Sequence, residues 1–259
     1  MELAKGLIIP ITADPVESPQ VVYGKPMTAI YFLTDDEEYG RITFENLDSI
    51  KISRGELIPY EEEAKEKTYF WVLNVENSNW LTERYQYEKR TYGSSYEFEG
   101  NVDEMLSDFN HFVFRFHDQF VEVIARGFWF EKDKESLFGK KLSINHPFLP
   151  LSESNLTKIQ AHNLTCQVRV NTTPIEELKK NAKFCSQKLM EFALELDGDA
   201  SVSNTLVLST RHGKLVSTLR GYFGKQQKEI EGIATLESVK PIIESYMKEV
   251  SERRKTMGK

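Results

Sequence analysis

The densest aromatic run in the chain, His111–Glu131, constrains the fold more than any other stretch. Its residues alternate with a period of two, which is typical of β-strands. The pattern predicts three strands: Phe112–Phe116, Phe120–Ala125 and Phe128–Glu131. The first turn falls at His117-Asp118-Gln119, and the second at Arg126-Gly127, where glycine would supply a positive φ. Because both faces of the first two strands carry apolar groups, we expect a central hairpin that is covered on both sides.

Two helices are predicted before this aromatic run. Ser78 can cap a helix over Asn79–Thr91. Asn101 can cap a second helix, in which Glu104 completes a capping box. We therefore expect the first half of the chain to combine a sheet with two helices.

Two further segments bear on the sheet of the first half. Strict alternation breaks within Arg41–Ser53, which indicates a bulge or a short turn at Asn46-Leu47-Asp48. Leu137–Ile144 is predicted as an additional strand.

A domain boundary is predicted in Asn145–Asn155, which contains two prolines and little periodicity. It separates an acidic, mostly-β domain over 1–150 with two helices from an α+β domain over 151–259 with two long helices. A length of 259 residues fits one large domain or two modest ones. We therefore expect an α+β protein of two domains, each an antiparallel-rich sheet packed with helices.

The second domain is predicted to follow the order β-α-β-β-β-α. Leu164–Val170 alternates as a strand, and Thr173 then caps a helix with Pro174 at its first position. Apolar residues continue this helical stripe at spacings of three and four as far as Leu196, the strongest periodic signal in the chain. The later predicted elements are three strands and a final helix: Thr205–Arg211, Lys214–Phe223, Lys228–Thr235, and Glu237 to Arg254.

Alternation in these strands also predicts two different faces for the second sheet. The helices should cover the apolar face: Leu164, Cys166, Leu206, Leu208, Leu215, Leu219 and Ile230. The opposite face, either exposed or docked on another surface, should carry polar and basic side chains: Thr165, Gln167, Arg169, Ser209, Arg211, Thr218, Arg220 and Tyr222.

Charge is distributed unevenly along the chain. Residues 1–150 hold 16 basic and 27 acidic residues, whereas residues 204–259 hold 11 basic and 6 acidic residues. The whole chain has a formal net charge of −7. Such asymmetry is typical of a protein with an anionic partner, and equally of one whose own surfaces pair with each other or across a dimer.

The sequence favours a cytoplasmic protein that does not enter a membrane. No apolar run approaches the roughly 18–20 residues that a membrane helix requires, and the N-terminus lacks the long apolar region of a signal peptide. Cys166 and Cys185 are too few for a disulfide framework or a cysteine-rich zinc site, and both are predicted to be buried. We expect neither a cofactor nor a metal.

The leading functional hypothesis is a non-enzymatic interaction or regulatory protein with an acidic N-terminal domain. The chain has no phosphate-binding loop, dinucleotide-binding glycine motif, zinc-protease motif or hydrolase serine motif. Its partner is expected to be another protein or a second copy of the chain. Whether it is also an enzyme is left open, with the sequence favouring that it is not.

The first alternative is nucleic-acid or phosphate-ligand binding through the basic C-terminal sheet. Six residues are the candidates: Arg169, Arg211, His212, Lys214, Arg220 and Tyr222. The run Arg211-His212-Gly213-Lys214 could cradle a phosphate, although short turns with glycine are usually no more than turns. The net charge of −7 opposes long-range attraction of a polyanion.

The second alternative is a hydrolase that uses His117, Asp118 and Glu122 as acid–base groups. Against it stands a simpler interpretation, a polar hairpin turn beside a charged strand residue. No nucleophile lies at a sequence spacing from these three residues that is typical of a catalytic site. The simpler interpretation is therefore favoured.

Overall fold

The computed structural model describes residues 1–24, 27–63, 69–93, 102–196, 199–211, 213–221 and 228–257. These residues form a mixed α+β chain that is mostly sheet. The chain divides into two compact units, Met1–His146 and Pro147–Lys259. Each unit contains one of the two described sheets.

The described part of the first unit has eight strands in one sheet: β1 (Leu3–Gly6), β2 (Gln20–Val22), β3 (Ala29–Leu33), β4 (Tyr39–Arg54), β5 (Glu61–Glu62), β6 (Val72–Glu76), β7 (Asn110–Phe116) and β8 (Gln119–Asp133). Their order is β2-β3-β4-β8-β7-β6-β1-β5, and only the pairing of β1 with β5 is parallel among them. The helices are α1 (Asn79–Tyr92) and α2 (Met105–Asp108), the latter preceded by a 3₁₀ turn at Val102–Glu104. Ser78 caps α1 as predicted, whereas the predicted cap Asn101 lies outside the described residues.

The central hairpin is confirmed as β7 and β8, joined by a tight turn at His117-Asp118 in which Asp118 has a φ of 57°. Both faces of the hairpin are buried, as expected from its two-sided apolar pattern. On one face Phe128 packs edge-on against Phe112 and Phe114, with ring centroids 5.0 and 5.3 Å apart. Such aromatic pairs add directional packing to the large apolar area that they bury.

The predicted second turn at Arg126-Gly127 is wrong, because β8 continues through Gly127 to Asp133. Gly127 pairs with Glu45 of the long neighbouring strand β4. The irregularity lies on that strand instead: the register shifts between Leu47 and Ser49, and Asn46 has a φ of 46°. Of the two alternatives predicted from broken alternation in β4, a bulge or a short turn, the structure has the bulge.

The described part of the second unit has six strands: β9 (Leu156–Ala161), β10 (Leu164–Val170), β11 (Gln187–Leu196), β12 (Asp199–Arg211), β13 (Lys214–Gly221) and β14 (Lys228–Glu231). They lie in the order β14-β13-β12-β11-β10-β9 and pair antiparallel throughout. Helix α3 (Ile175–Asn181) joins β10 to β11, and the long helix α4 (Leu236–Met257) follows β14.

The predicted order β-α-β-β-β-α is therefore wrong for the second unit, which runs β-β-α-β-β-β-β-α in its described residues. The helix predicted as far as Leu196 ends at Asn181, and only one of the two helices is long. Thr173 does not cap it, because Pro174 occupies the cap position without a side-chain hydrogen bond.

The error has a physical origin in two periodicities that overlap. Met190, Phe192 and Leu194 are all buried and lie two residues apart, as a strand requires. Pairing of this segment with β10 on one side and β12 on the other satisfies its backbone groups and decides in favour of the strand. Apolar spacing alone could not distinguish the two structures.

The predicted apolar face of the second sheet is confirmed, whereas on the predicted polar face Thr218 and Arg220 are buried and Tyr222 lies outside the described residues. Cys166, Leu206, Leu208 and Leu219 belong to one buried cluster, against which Leu164, Leu215 and Ile230 pack. Helix α4 adds three buried residues to this core: Val239, Ile243 and Met247.

Candidate functional site

Glu122 is the most informative of the three predicted hydrolase residues, because its partner is not the predicted one. It is buried on β8, and its Oε2 lies 3.1 Å from Nε2 of His111 on β7. In the hairpin register Glu122 stands opposite Val113, which makes His111 its diagonal neighbour on the same face. The predicted partner His117 lies at the hairpin turn.

Two residues from distant segments extend this pair. Ser78 Oγ lies 2.9 Å from Nδ1 of His111, and it also accepts the backbone N–H of Leu81 at 3.0 Å as the cap of α1. The hydroxyl of Tyr60 donates to Oε2 of Glu122. The network closes when Ser78 donates its own proton to Nδ1 and the protonated Nε2 of His111 donates to Glu122.

The surroundings of Glu122 keep it ionised. Burial by itself raises the pKa of Glu122, but the hydrogen bonds from His111 and Tyr60 outweigh burial and leave this pKa below its ordinary value. Burial also raises the pKa of Tyr60, and its hydrogen bond to the Glu122 carboxylate raises it further. The phenol therefore remains a donor at neutral pH.

Serine, histidine and a carboxylate are the components of a catalytic triad, but this arrangement differs from one in two ways. In a triad the serine bonds Nε2 and the acid bonds Nδ1, whereas Ser78 and Glu122 bond the opposite nitrogens of His111. Moreover, Ser78, His111 and Glu122 are only 5%, 0% and 4% exposed, so a substrate cannot reach them. The rings of Trp80 and Tyr60 cover His111 edge-on at 5.0 and 5.3 Å. This polar network ties α1 to the central hairpin.

His117 and Asp118 lie in solvent at the β7–β8 turn, where Nδ1 of His117 is 3.0 Å from Oδ2 of Asp118. Glu56, which follows β4, is the third member of this exposed group, and the three potential ligand atoms lie within 4.8 Å of one another. The structure thus divides the predicted hydrolase residues between two places: Glu122 joins His111 in the core, and the other two join Glu56 at the surface.

A second buried polar cluster centres on Arg41, whose side chain is fully buried on β4. Its Nε donates to Oε2 of Glu131 at 2.8 Å, and its other nitrogens donate to three backbone carbonyls: those of Leu137, Lys140 and Lys141. These bonds hold the segment that follows β8 onto the sheet. The strand predicted over Leu137–Ile144 does not form, and this segment instead contains a turn in which the N–H of Lys140 donates to the carbonyl of Leu137 at 3.1 Å.

His146 completes the Arg41 cluster. Its Nε2 lies 2.9 Å from Oγ1 of Thr43 and 3.8 Å from the Glu131 carboxylate. Burial lowers the pKa of His146 to about 4, although the Glu131 charge partly opposes this shift. Burial raises the pKa of Glu131, but hydrogen bonds from Ser143 and Arg41 bring it below its ordinary value. His146 is therefore neutral and Glu131 charged at neutral pH.

The four predicted ligand-binding residues that the structure describes do not form one cluster. Arg169 and Arg220 lie in one row across the sheet, linked by the successive pairs Arg169–Glu191, Glu191–Thr205 and Thr205–Arg220. Arg211 and Lys214 lie at the β12–β13 turn, about 20 Å along the strand from that row. His212 and Tyr222 lie outside the described residues.

Acidic neighbours also take part in the predicted basic surface. Arg169 forms an ion pair with Glu153 at 2.9 Å and approaches Glu191 at 3.8 Å. Arg211 is paired with Glu229. These carboxylates reduce the positive potential that a phosphate group would meet.

Strand β9 offers a different kind of site at the end of the second sheet. It pairs with β10 on one side, and no other described strand adjoins its outer edge. Leu156, Thr157, Lys158 and Gln160 of this strand are exposed, whereas Ile159 faces the core. A strand edge of this kind presents unpaired N–H and C=O groups that another strand can pair with.

Some contacts of the two buried polar clusters could be predicted from the sequence, and others could not. The hairpin turn predicted at His117-Asp118 fixes the register of β7 and β8, and that register makes His111 the neighbour of Glu122. Ser78, Tyr60 and Arg41 reach these partners across long stretches of chain, so no local signal marked the contacts.

None of the helices in the described ranges is long and apolar enough to cross a membrane. Comparisons with protein-family models, with curated proteins and with solved structures yielded no match for this chain. The geometry described above is therefore the basis for assigning a function.

Proposed function

We propose that this chain is a non-enzymatic interaction protein that holds a protein partner by strand addition to the free edge of β9. The observation that carries this proposal is the exposed six-residue edge of the second sheet. Six residues of strand extend about 20 Å, enough for a continuous ladder of backbone hydrogen bonds with a partner strand.

The other sheet edges of the described chain are less suited to this role. Strands β2 and β5 have three and two residues, and β5 consists of Glu61 and Glu62. Strand β14 has four residues, KEIE, of which three are charged. Short length and charge protect an edge against pairing. On β9 the one charged residue is Lys158, and its ammonium group is held 3.1 Å from Glu195 of β11.

The backbone geometry of β9 identifies the groups that a partner would bind. His162 and Asn163 have φ values of 53° and 64°, which define a two-residue turn between β9 and β10. Hydrogen-bonded and non-hydrogen-bonded pairs alternate along such a hairpin, beginning with a bonded pair at Ala161 and Leu164. The N–H groups of Lys158 and Gln160 therefore point to the free edge.

The proposal extends to the organisation and location of the chain. The two compact units are taken as separate domains, the first acidic and the second carrying the interaction edge. Cys166 and Cys185 are both buried, and neither is in a disulfide. Free thiols persist in reducing compartments, which supports a cytoplasmic location.

The test compares Gln160→Pro with Gln160→Ala, since both remove the side chain but only proline removes the outward N–H. The untagged chain is first examined by light scattering over a concentration series, which detects a second copy as the partner. Immobilised chain is then incubated with an extract of the source cells, and each retained protein is purified for hydrogen exchange. A partner strand should protect the outward amides of Lys158 and Gln160, and Gln160→Pro should weaken binding at least about tenfold while Gln160→Ala binds normally.

Two results would contradict the proposal. One is a partner that binds Gln160→Pro as tightly as the wild-type chain. The other is protection that falls elsewhere on the chain while the amides of β9 remain open. Melting curves of both variants establish that the second unit is folded.

A further inference from the structure

The exposed group at the β7–β8 turn is independent of the β9 edge and has chemistry of its own. It brings together one imidazole, that of His117, and two carboxylates, those of Glu56 and Asp118. An imidazole with carboxylates is a donor set found at zinc and other transition-metal sites, whereas Ca²⁺ and Mg²⁺ sites take oxygen ligands. The presence of the imidazole distinguishes this group from the acidic clusters common on protein surfaces.

The backbone holds the donors in place from two directions. His117 and Asp118 are adjacent in the tight turn of the buried central hairpin, and Asp118 has a φ of 57°. Glu56 approaches from the end of β4, where the N–H of Gly55 donates to the carbonyl of Asp118 at 2.9 Å. This backbone bond fixes the separation of the two segments, so the donors do not depend on a flexible loop for their proximity.

The distances suit one small ion. One nitrogen and two carboxylate oxygens lie within 4.8 Å of one another, and Nδ1 of His117 is already 3.0 Å from Oδ2 of Asp118. Ligand atoms about 2.0–2.2 Å from a zinc ion lie a little over 3 Å apart, so small side-chain rotations would complete the site. The acidic composition of residues 1–150, with 27 acidic against 16 basic residues, favours a cation there.

From this geometry we propose that Glu56, His117 and Asp118 form a surface site for one divalent transition-metal ion, with Zn²⁺ as the probe. Three protein ligands leave a fourth position open to solvent or to a further ligand. All three side chains are exposed, so the ion can enter without unfolding of the hairpin. This site accounts for the two residues that the sequence analysis singled out and that the buried network does not use.

The test is titration of the untagged full chain with Zn²⁺ by calorimetry, compared with His117→Ala and Asp118→Asn. Asparagine tolerates the left-handed backbone at position 118, so this variant removes the charge without straining the turn. The wild-type chain should bind one Zn²⁺. Each variant should bind it at least about tenfold more weakly, a loss that even outer-shell partners of a metal produce.

The matched control is His162→Ala. His162 is also an exposed histidine in a two-residue turn, with a φ of 53°, and its loss should leave zinc binding unchanged. As a second readout, Co²⁺ should give a visible absorption band in the wild-type chain and in His162→Ala but not in His117→Ala. The proposal is overturned if the wild-type chain binds no Zn²⁺, or if His117→Ala binds it as tightly as the wild-type chain does.

Discussion

Two histidine–carboxylate pairs lie on one hairpin and differ chiefly in burial. His111 and Glu122 are separated by 3.1 Å in the core, and His117 and Asp118 by 3.0 Å at the turn. The distances are nearly equal, so bond geometry does not distinguish the pairs. The side chains of the first pair are 0% and 6% exposed, against 44% and 69% for the second. A buried pair must satisfy all its polar atoms within the protein, whereas an exposed pair can exchange its partner for water or an ion.

The largest expected effect follows from removing the carboxylate of the buried pair. Glu122→Ala leaves Nε2 of His111 and the hydroxyl of Tyr60 without their acceptor and opens a cavity. Each buried donor left without its acceptor costs about 1–3 kcal/mol, so this variant should lose roughly 2–5 kcal/mol. The free energy of unfolding, measured with urea, should fall by that amount.

The exposed pair supplies the comparison for this variant. Asp118→Asn removes the charge of the other carboxylate, keeps a residue that accepts the φ of 57°, and should change stability by less than about 0.5 kcal/mol. If Glu122→Ala also lost less than about 1 kcal/mol, the polar network would not hold α1 to the hairpin. Burial would then not make the His111–Glu122 pair contribute more to stability than the His117–Asp118 pair.

The sequence correctly predicted those structural features that depend only on residues close together in the chain. The turn at His117-Asp118, the cap Ser78 and the bulge near Leu47 each follow from a few adjacent side chains, and all three are present. Gly127 shows the limit of such reasoning. A glycine permits a turn but does not require one, and the long pairing of β8 with β4 determined its conformation.

Long-range partners decided the rest of the fold. Residues around Met190 and Phe192 suit either a helix or a strand by spacing, and the presence of β10 and β12 on both sides selects the strand. Arg41 binds the carbonyl of Lys140, 99 residues away, and no local sequence pattern predicts such a contact. The candidate metal donors fall between these cases, because His117 and Asp118 were visible in the turn whereas Glu56 reached them only through the fold.

The second buried histidine of the described chain, His146, extends the comparison to pH. The pKa of His146 lies at about 4 in the folded chain, against an ordinary value of 6.5. Between these values the unfolded chain binds a proton that the folded chain excludes, so stability should fall as the pH decreases from 6.5 towards 4. His146→Gln should reduce this slope in urea unfolding measured at successive pH values.

The pH range for this measurement is limited by two largely buried carboxylates. Glu122 and Glu131 have pKa values below the ordinary 4.5, so their contribution is present above that value and is lost at lower pH. Measurements between pH 6.5 and about 5 therefore separate His146 from both. His162→Gln, at an exposed turn, should leave the slope unchanged. An unaltered slope in His146→Gln would mean that burial does not hold His146 neutral.

The smallest effect on stability is expected from substitution of the exposed His117. His117→Ala, measured with a chelator present, should change the free energy of unfolding by less than about 0.5 kcal/mol, because surface ion pairs contribute little and water replaces the lost bond. The His117–Asp118 contact would then be dispensable for folding, which leaves both side chains available for a ligand. A loss above about 1 kcal/mol would instead show that the contact stabilises the turn. The two pairs on the hairpin would then share a structural role, and burial would no longer separate them.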